Sequence, residues 1–311
     1  MTRKSSMGTR EWIMLVLLSI LWGGSFFFMK LSLVELPTLI IVFCRVGIAA
    51  ATLLAYLKIT GKELPNGKQV WIAFFTMGFL NNLLPFSLLI WGMTEIASGL
   101  AAILNATTPV FTILVAHFMT SDERISINKV AGIVLGLVGV VVLIGVEALD
   151  GLNASTLAML ACLGAALSYA IAAAYGRRFR ELDVRPTQVA FGQVTASSLL
   201  LFPVAIYVDS PWNLSMPGLN TWMALLALGI FSTALAYVLY FRILQVAGAT
   251  NIALVTLLVP VSAILLGWFI LGETLSPSHF AGMSLITLGL LAIDGRLFRL
   301  FNTNPHFARR L

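Results

Sequence analysis

Ten long apolar runs, separated by short polar joints, make up almost the whole chain. Each run is close to the 20 or so residues that an α-helix needs to cross about 30 Å of hydrocarbon, and is too long for a membrane-barrel strand. Because backbone N–H and C=O groups in lipid must be paired within their own segment, the runs are predicted to be helices. They span residues 12–31, 37–57, 70–92, 98–119, 129–147, 155–176, 186–208, 221–243, 250–271 and 278–298.

The second five runs repeat the first five. Residues 71–118 align without a gap on residues 222–269, and in the weaker part of the alignment Arg45 falls opposite Gln193. The alternative is chance similarity between Leu-rich and Ala-rich segments, but shared Trp, Pro and Gly positions over two consecutive runs argue against it. Identical pairs include Trp71/Trp222, Gly78/Gly229, Pro109/Pro260 and Phe118/Phe269.

An odd number of spans in each repeat requires the second repeat to insert upside down relative to the first. The charges of the joints agree with this inversion. Residues 58–68 carry three lysines, whereas their counterpart at 209–220 contains neither Lys nor Arg. We therefore predict an all-α membrane protein of ten transmembrane helices, built as two inverted five-helix repeats over residues 1–147 and 148–311.

Basic residues are concentrated on one side of the predicted bundle. Of the 19 Lys and Arg residues, all except Lys30 and Arg45 fall on the side of the N-terminus when ten spans are assumed. The positive-inside rule then predicts a multi-pass protein of the cell inner (plasma) membrane with both termini in the cytoplasm. The basic N-terminus leads into an apolar run without a small-residue cleavage site, so an uncleaved first helix is expected.

Composition supports a membrane protein and narrows the function. Hydrophobic residues make up 59% of the chain and charged residues 10%, well away from the balance of soluble domains. The net charge of +6 is scattered between apolar runs, which indicates topology rather than a nucleic-acid partner. Cys44 and Cys162 lie within apolar runs, so neither a disulfide framework nor a thiolate metal site is predicted. No metal and no cofactor is expected; the expected partners are the lipid bilayer and a small-molecule substrate.

Several motifs resemble the EamA-domain family of the drug/metabolite transporter superfamily, over nearly the whole chain. They are Leu-Trp-Gly-Gly-Ser-Phe at 21–26, Arg45, Pro109, Pro260, Leu-Gly-Glu-Thr at 271–274 with Gly282, and Leu-Ile-Thr-Leu-Gly at 285–289. The resemblance implies a transporter that exports small organic metabolites, amino acids or related amphipathic solutes among them. A multidrug or other metabolite permease of the same fold is the alternative.

An intramembrane enzyme belongs to a different class and is disfavoured. The chain has no HExxH and no GxSxG motif, and His117, His279 and His306 lie apart in joints or at ends. No catalytic residue is therefore predicted. No Asp or Glu falls in the middle of a predicted span, which leaves both facilitated diffusion and non-carboxylate coupling open.

Arg45 is the strong base that lies well inside a predicted span, about 12 Å of helix rise from the end of that span at Pro37. A cation at this depth indicates a functional site by default. The family resemblance implies that it faces a central cavity, where it meets an electronegative group of the substrate. The alternative is a structural role, in which Arg45 bonds neighbouring carbonyls or side chains.

Polar and aromatic side chains at similar depth are predicted to wall the same cavity. Polar groups in lipid are costly unless they are paired, and an aromatic-walled cavity with a few such groups is typical of a small-molecule site. Alternatively, the Tyr and Trp residues mark the membrane interface. The cavity residues besides Arg45 are Trp22, Ser25, Phe26, Asn81, Asn82, Asn105, Tyr169, Gln193, Ser232, Thr233, Tyr237 and Thr256.

Prolines and glycines suggest where the helices bend and pack. Pro109 and Pro260 each remove a backbone hydrogen bond near the middle of a span, and are predicted to kink gating helices; a fixed bend is the alternative. Glycine stripes in the fifth and tenth runs are typical of close helix packing, either as a scaffold or in a homodimer.

Overall fold

A computed structural model describes residues 8–119, 127–144, 153–252 and 254–293, and within these ranges all regular structure is helical. Two π-helical segments, Phe79–Leu83 and Ala227–Leu235, and a 3-10 turn at Pro211–Asn213 interrupt or follow the α-helices. The α-helices are α1 (Thr9–Ser32), α2 (Thr38–Ile59), α3 (Lys68–Gly78), α4 (Leu84–Glu95), α5 (Ser98–Asn105), α6 (Thr108–Met119), α7 (Ile127–Ile144), α8 (Ala154–Tyr175), α9 (Arg178–Glu181), α10 (Pro186–Asp209), α11 (Leu219–Leu226), α12 (Ala236–Ile252), α13 (Val255–Leu271) and α14 (Pro277–Ile293).

Seven helical segments of the described chain are long and apolar enough to cross a membrane. Three further apolar helices, Lys129–Ile144, Val255–Leu271 and Pro277–Ile293, are shorter. Each of these helical segments overlaps one of the apolar runs of the sequence, and the predicted run ends at 145–147 and 294–298 lie outside the described residues. We call the end of the bundle where α1 ends and α2 begins the distal end, and the end where α1 begins the proximal end.

The two π-helical segments occupy equivalent places in the two repeats. The first follows Gly78 directly and the second contains Gly229, the partner of Gly78 in the sequence repeat. A π-helix turns more widely than an α-helix and frees backbone groups, which is why such segments recur at functional sites. The third and eighth apolar runs therefore carry the same irregularity.

The fourth apolar run is broken rather than kinked. Helix α5 ends at Asn105, a turn follows at Ala106 and Thr107, and Pro109 is the second residue of α6. Proline is favourable there because the first N–H groups of a helix have no intrahelical partner. Pro260, its counterpart, lies inside α13 instead.

The joint between the eighth and ninth runs differs from the prediction. The sequence placed it at residues 244–249, but α12 continues through these residues to Ile252 and α13 begins at Val255. Hydropathy fixes an apolar stretch well and its helix ends poorly, since a helix can continue through small residues such as Ala247, Gly248 and Ala249.

Packing between the helices follows the repeat. Helix α2 runs along α10 and α7 along α14, pairing equivalent helices of the two repeats. The contact of α1 with α13 is matched by that of α8 with α6, and α2 and α10 each lie against the π-helical segment of the opposite repeat. The two repeats are therefore interleaved along much of the bundle.

Glycines bring α7 and α14 into backbone contact. A β-carbon at Gly132 would lie 2.5 Å from the carbonyl oxygen of Gly289, and one at Gly139 would lie 2.8 Å from that of Gly282. Neither position has room for a side chain. These glycine faces meet within one chain, so the homodimer stays a prediction and would need another surface.

Candidate functional site

Arg45 is buried among neutral groups. Its side chain is 4% exposed, and its Nε donates to Thr233 Oγ1 at 3.0 Å. Nη1 lies 3.2 Å from Met29 Sδ, and the guanidinium carbon stands 3.7 Å from the ring centre of Phe86. In the described part of the chain no carboxylate bonds to it. The positive charge is thus held by one hydroxyl, one thioether and one aromatic face.

The second π-helical segment positions the hydroxyl that meets Arg45. Thr233 Oγ1 donates to the carbonyl of Leu228, five residues earlier, at 2.8 Å, which leaves its lone pairs for the guanidinium. Gly229 allows α2 to come close, because a β-carbon there would lie 3.2 Å from the Arg45 carbonyl oxygen and still nearer to the Ile48 side chain. The local backbone therefore explains why Arg45 and Thr233 meet.

A second polar group surrounds Gln193 on α10. Asn81 Nδ2 donates to Gln193 Oε1 at 3.0 Å and approaches Tyr237 Oη at 3.3 Å. The Tyr237 hydroxyl in turn donates to Asn82 Oδ1 at 2.9 Å. Asn82 and Gln193 are buried. Four side chains from α10, α12 and the first π-helical segment are thus joined by hydrogen bonds.

These two groups are related by the internal repeat. Arg45 and Gln193 are counterparts, and each bonds to a side chain of the π-helical segment in the opposite repeat. Such bonds are made across the interface of the repeats, where inverted-repeat transporters place their substrate. We call this set the central cluster; it consists of Arg45, Asn81, Asn82, Gln193, Thr233 and Tyr237.

Aromatic side chains stand around the central cluster. Tyr169 lies edge-on to Phe86 at 6.4 Å between ring centres, and the Arg45 guanidinium lies over the face of the Phe86 ring. Trp22 packs against Tyr240 at 5.5 Å. Phe26 is buried in the hydrophobic core. Phe86 therefore lies next to the central cluster, and the aromatic-walled cavity stays a prediction.

The remaining predicted polar residues are less alike. Ser25 Oγ donates to the Trp22 carbonyl at 2.6 Å and Thr256 is half-buried near the start of α13. Asn105 lies at the end of α5, and its Oδ1 has no hydrogen-bond partner among the described residues. The same holds for Ser232 Oγ and for Asn82 Nδ2. Buried polar atoms without a partner are uncommon, so these three are candidate contacts for a solute.

The sequence did not single out two residues that touch Arg45. Phe86 follows Asn82 by four residues and Met29 follows Ser25 by four, so both share a helix face with a predicted site residue. The four-residue spacing from Asn82 and Ser25 was therefore the signal in the sequence that could have identified Phe86 and Met29. Both looked like ordinary lipid-facing or core residues, because apolar side chains dominate every span.

Lys30, the other base away from the basic side, has a structural role. Its ammonium donates to the carbonyl oxygens of Met93 and Ile96 at the distal end of α4. The last carbonyls of a helix lack intrahelical partners and carry partial negative charge, so a cation stabilises them. Lys30 is therefore a C-terminal cap of α4 and Arg45 is not a cap.

A separate crevice of about 620 Å³ opens at the distal end between α2, α4 and α10. Its lining includes Leu36, Trp91, Val208 and Asp209, and none of the predicted site residues. The described residues contain no group of three His, Cys, Asp or Glu side chains that could hold a metal ion. The chemistry of the central cluster is therefore that of one positive charge, neutral hydrogen-bonding groups and aromatic rings.

Comparison with known proteins identifies a transporter family. The EamA-like transporter family matches the chain twice, over residues 10–145 and 156–293. The uncharacterized transporter YoaV of Bacillus subtilis is 28% identical over 279 residues, covering 89% of this chain and 94% of YoaV. A probable amino-acid metabolite efflux pump of Salmonella typhimurium is 28% identical over 296 residues, covering 91% of this chain and 94% of the pump.

A solved crystal structure shares the fold. It superposes with a TM-score of 0.66 at 20% identity, covering 91% of this chain and 97% of that structure. At this identity the likeness concerns the fold alone. The two family matches, one for each repeat, together cover most of the chain, which therefore belongs to the EamA-like transporter family.

Proposed function

We propose that the chain crosses the inner membrane ten times with both termini in the cytoplasm, and exports small organic metabolites by alternating access. The short helices α13 and α14 have 17 residues and are about 25 Å long, close to the hydrocarbon thickness. Helix α13 packs along α1, and α7 packs along α14, as spans of one bundle do. The charge bias between the joints supports the orientation.

The observation that carries the proposed site is the environment of Arg45. A buried charge is stabilised only by good partners, and removal of one partner from a buried pair is costly. Here the described partners are neutral and the orphaned Asn82 amide and Ser232 hydroxyl are additional hydrogen-bond donors. A solute that carries an anionic or electronegative group would supply the hydrogen-bond acceptor that these donors lack.

The aromatic residues around the cluster suit the apolar part of such a solute. Trp22, Tyr169 and Tyr237 offer flat, partly buried surfaces on different helices. Zwitterionic amino acids meet both requirements, and two relatives carry the name probable amino-acid metabolite efflux pump. Amino acids and related amphipathic solutes are therefore the first candidates; other metabolites or drugs handled by the same fold are the alternative.

Alternating access requires the central cluster to change. The bonds Arg45–Thr233 and Asn81–Gln193 join the two repeats, so relative rocking of the repeats must stretch or exchange them. The broken fourth run ahead of Pro109 and the proline within α13 supply points at which helices can bend. These helices are the proposed gates.

The test is flux through purified protein in liposomes. Amino acids and a cationic dye are measured in parallel for the wild type, Arg45→Lys and Arg45→Gln. Arg45→Lys should keep part of the amino-acid flux. Arg45→Gln should lower the ratio of amino-acid to dye flux by roughly tenfold or more, as expected when a hydrogen bond to a charged group is lost.

The matched control is Arg178→Gln, which removes an exposed arginine of α9 and should leave both fluxes unchanged. Thermal unfolding of each variant in detergent checks that the protein is folded. An unchanged flux ratio in folded Arg45→Gln would make Arg45 a structural residue. Loss of amino-acid flux in Arg178→Gln as well would show that the assay responds to net charge rather than to the site.

A further inference from the structure

At the distal end, two acidic side chains cross from one repeat to the other and cap helix N-termini. Glu35, just before α2, accepts a hydrogen bond from the N–H of Gly218, just before α11, at 2.7 Å. Asp209, at the end of α10, accepts one from the N–H of Ile40 in the first turn of α2 at 3.0 Å. In both cases the acid and the helix belong to different repeats.

Glu273 makes a third crossing of the same kind. Its two carboxylate oxygens accept from the N–H and hydroxyl of Ser98 at 2.9 and 2.7 Å, and from the N–H of Gly99 at 3.3 Å. Ser98 begins α5 in the first repeat, whereas Glu273 follows α13 in the second. A β-carbon at Gly267 would lie 2.5 Å from Glu273, so that glycine leaves room for the carboxylate.

These three contacts act together as a distal latch, formed by Glu35, Asp209 and Glu273. The first N–H groups of a helix are unpaired and carry partial positive charge, so a carboxylate both completes their hydrogen bonds and is attracted electrostatically. Because every contact joins the two repeats, movement of one repeat away from the other at this end would break all three.

The inverted repeat provides a counterpart of Glu35 at the proximal end. Glu35 lies three residues before α2, and Asp183 lies three residues before α10, the helix equivalent to α2. Likewise Gly218 immediately precedes α11 and Gly67 immediately precedes its equivalent α3. In the repeat, Asp183 is therefore the counterpart of Glu35, and Gly67 is the counterpart of Gly218.

In this structure the proximal counterpart of the latch is not formed. Asp183 is exposed, and its carboxylate has no hydrogen-bond partner among the described residues. The N–H of Gly67 is instead close to its neighbour Asn66, at 3.0 Å from Oδ1. The two segments are nevertheless adjacent, since Gln188 Nε2 donates to the carbonyl of Glu63 at 2.9 Å.

We propose that Glu35 and Asp183 are reciprocal gate residues of the transport cycle. Glu35 holds the start of α11 while the distal end is closed. Asp183 holds the start of α3 when the repeats exchange conformations and the proximal end closes. The inference rests on the alternating access proposed above, and it assigns the cross-repeat carboxylates a role separate from that of Arg45.

The test measures the width of the distal end. Spin labels are placed at Val34→Cys and Leu219→Cys, both exposed, in a background with Cys44 and Cys162 replaced by Ala, and their distance is measured by pulsed electron paramagnetic resonance. Glu35→Gln should raise the open-to-closed ratio about two- to fivefold, and Asp183→Asn should lower it by a similar factor. Asp183→Glu keeps the carboxylate and should restore the wild-type distribution.

Each matched control removes an acid that lies at the same end of the bundle as one gate residue but makes no cross-repeat contact. They are Glu95→Gln at the distal end and Glu181→Gln near Asp183, both exposed, and neither should change the distances. Equal distributions for Asp183→Asn and Glu181→Gln, or shifts in one direction for both gate variants, would overturn the proposal. Opposite shifts in a protein without flux would uphold the gate and contradict the proposed transport instead.

Discussion

The backbone of Gly78 lies directly against the carbonyl oxygen of Gln193, so that a β-carbon at position 78 would come within 2.6 Å of that oxygen. The counterpart Gly229 stands in the same way against α2, at the carbonyl of Arg45. The glycines thus set the distance at which α2 and α10 deliver their polar side chains to the π-helical segment of the opposite repeat. Packing and the site depend on the same two positions.

Gly78→Ala should therefore destabilise the protein. The added methyl group meets backbone atoms of α10, which cannot move aside as a flexible side chain can, and overpacking of this kind costs about 1–3 kcal/mol. Gly24→Ala is the matched control, since a β-carbon there would meet only side-chain carbons at 3.7 Å. Thermal unfolding in detergent should show a lower midpoint for Gly78→Ala alone; equal midpoints would contradict the close contact.

Tyr237→Phe should loosen the hydrogen-bonded part of the central cluster. The change removes the donor to Asn82 Oδ1 and leaves that buried oxygen without its partner. Side-chain hydrogen bonds within membrane proteins contribute about 0.6 to 1.7 kcal/mol, which sets the expected loss in free energy of unfolding. Tyr240→Phe keeps the ring that packs on Trp22 and should change stability less. Equal effects would mean that the Tyr237 hydroxyl bond is not formed.

The distal latch should weaken in acid. Hydrogen bonds from the Thr221 side chain and the Gly218 N–H lower the pKa of Glu35 below its ordinary value of 4.5. Because the pKa of Glu35 is lower in the latched form, its carboxylate stabilises the latch fully above about pH 4.5. This stabilisation is lost as the pH falls through the lowered pKa of the latched form. The labelled distal distance should be the same at pH 7.5 and 5.5, and should lengthen only as the pH is lowered below 4.5.

Glu35→Gln serves as the control for this pH dependence. Its amide cannot titrate, so the acid-induced lengthening should shrink in the variant. A lengthening of equal size in both proteins would assign the effect to other carboxylates. A transition already complete at pH 5.5 would contradict the direction of the Glu35 shift.

Topology can be tested with reporters in exposed joints. A reporter inserted after Gly61, between α2 and α3, should be active in the cytoplasm, and one inserted after Ser215, between α10 and α11, should be active outside. The reason is the concentration of basic residues on the side of Gly61. The reverse pattern would exclude the proposed orientation, and a shared side for both would exclude the inversion of the repeats.

The coarse fold could be predicted because lipid imposes one strong rule on the sequence. Apolar runs must form helices, and seven helical segments of the described chain are long and apolar enough to cross a membrane. The repeat of Trp71 in Trp222 predicted the register of the two halves. The glycine stripes of α7 and α14 were predicted to be packing faces because glycines let two helices approach closely. Hydropathy alone did not predict the ends of α12 or the break at Ala106.

The contacts of the candidate site were harder to predict. Arg45, Gln193 and Tyr237 stand out in the sequence as polar groups in an apolar setting, but their partners depend on the wider turns of the π-helical segments. The contact of Phe86 with Arg45 could not be predicted, because an aromatic residue is common in a span and the sequence does not show which cation lies over its ring. Cross-repeat contacts such as Glu35 with Gly218 need the fold itself, since 183 residues separate the partners.

The seam between α7 and α14 has the geometry of an isologous interface. Gly132 meets Gly289 and Gly139 meets Gly282, while the sequence repeat makes Gly132 the counterpart of Gly282 and Gly139 that of Gly289. The symmetry that relates the two repeats thus exchanges the two contacts, as in a two-fold symmetric assembly of identical subunits. The pairing of α7 with α14 thus has the symmetry of an interface between two equivalent five-helix units, here joined in one chain.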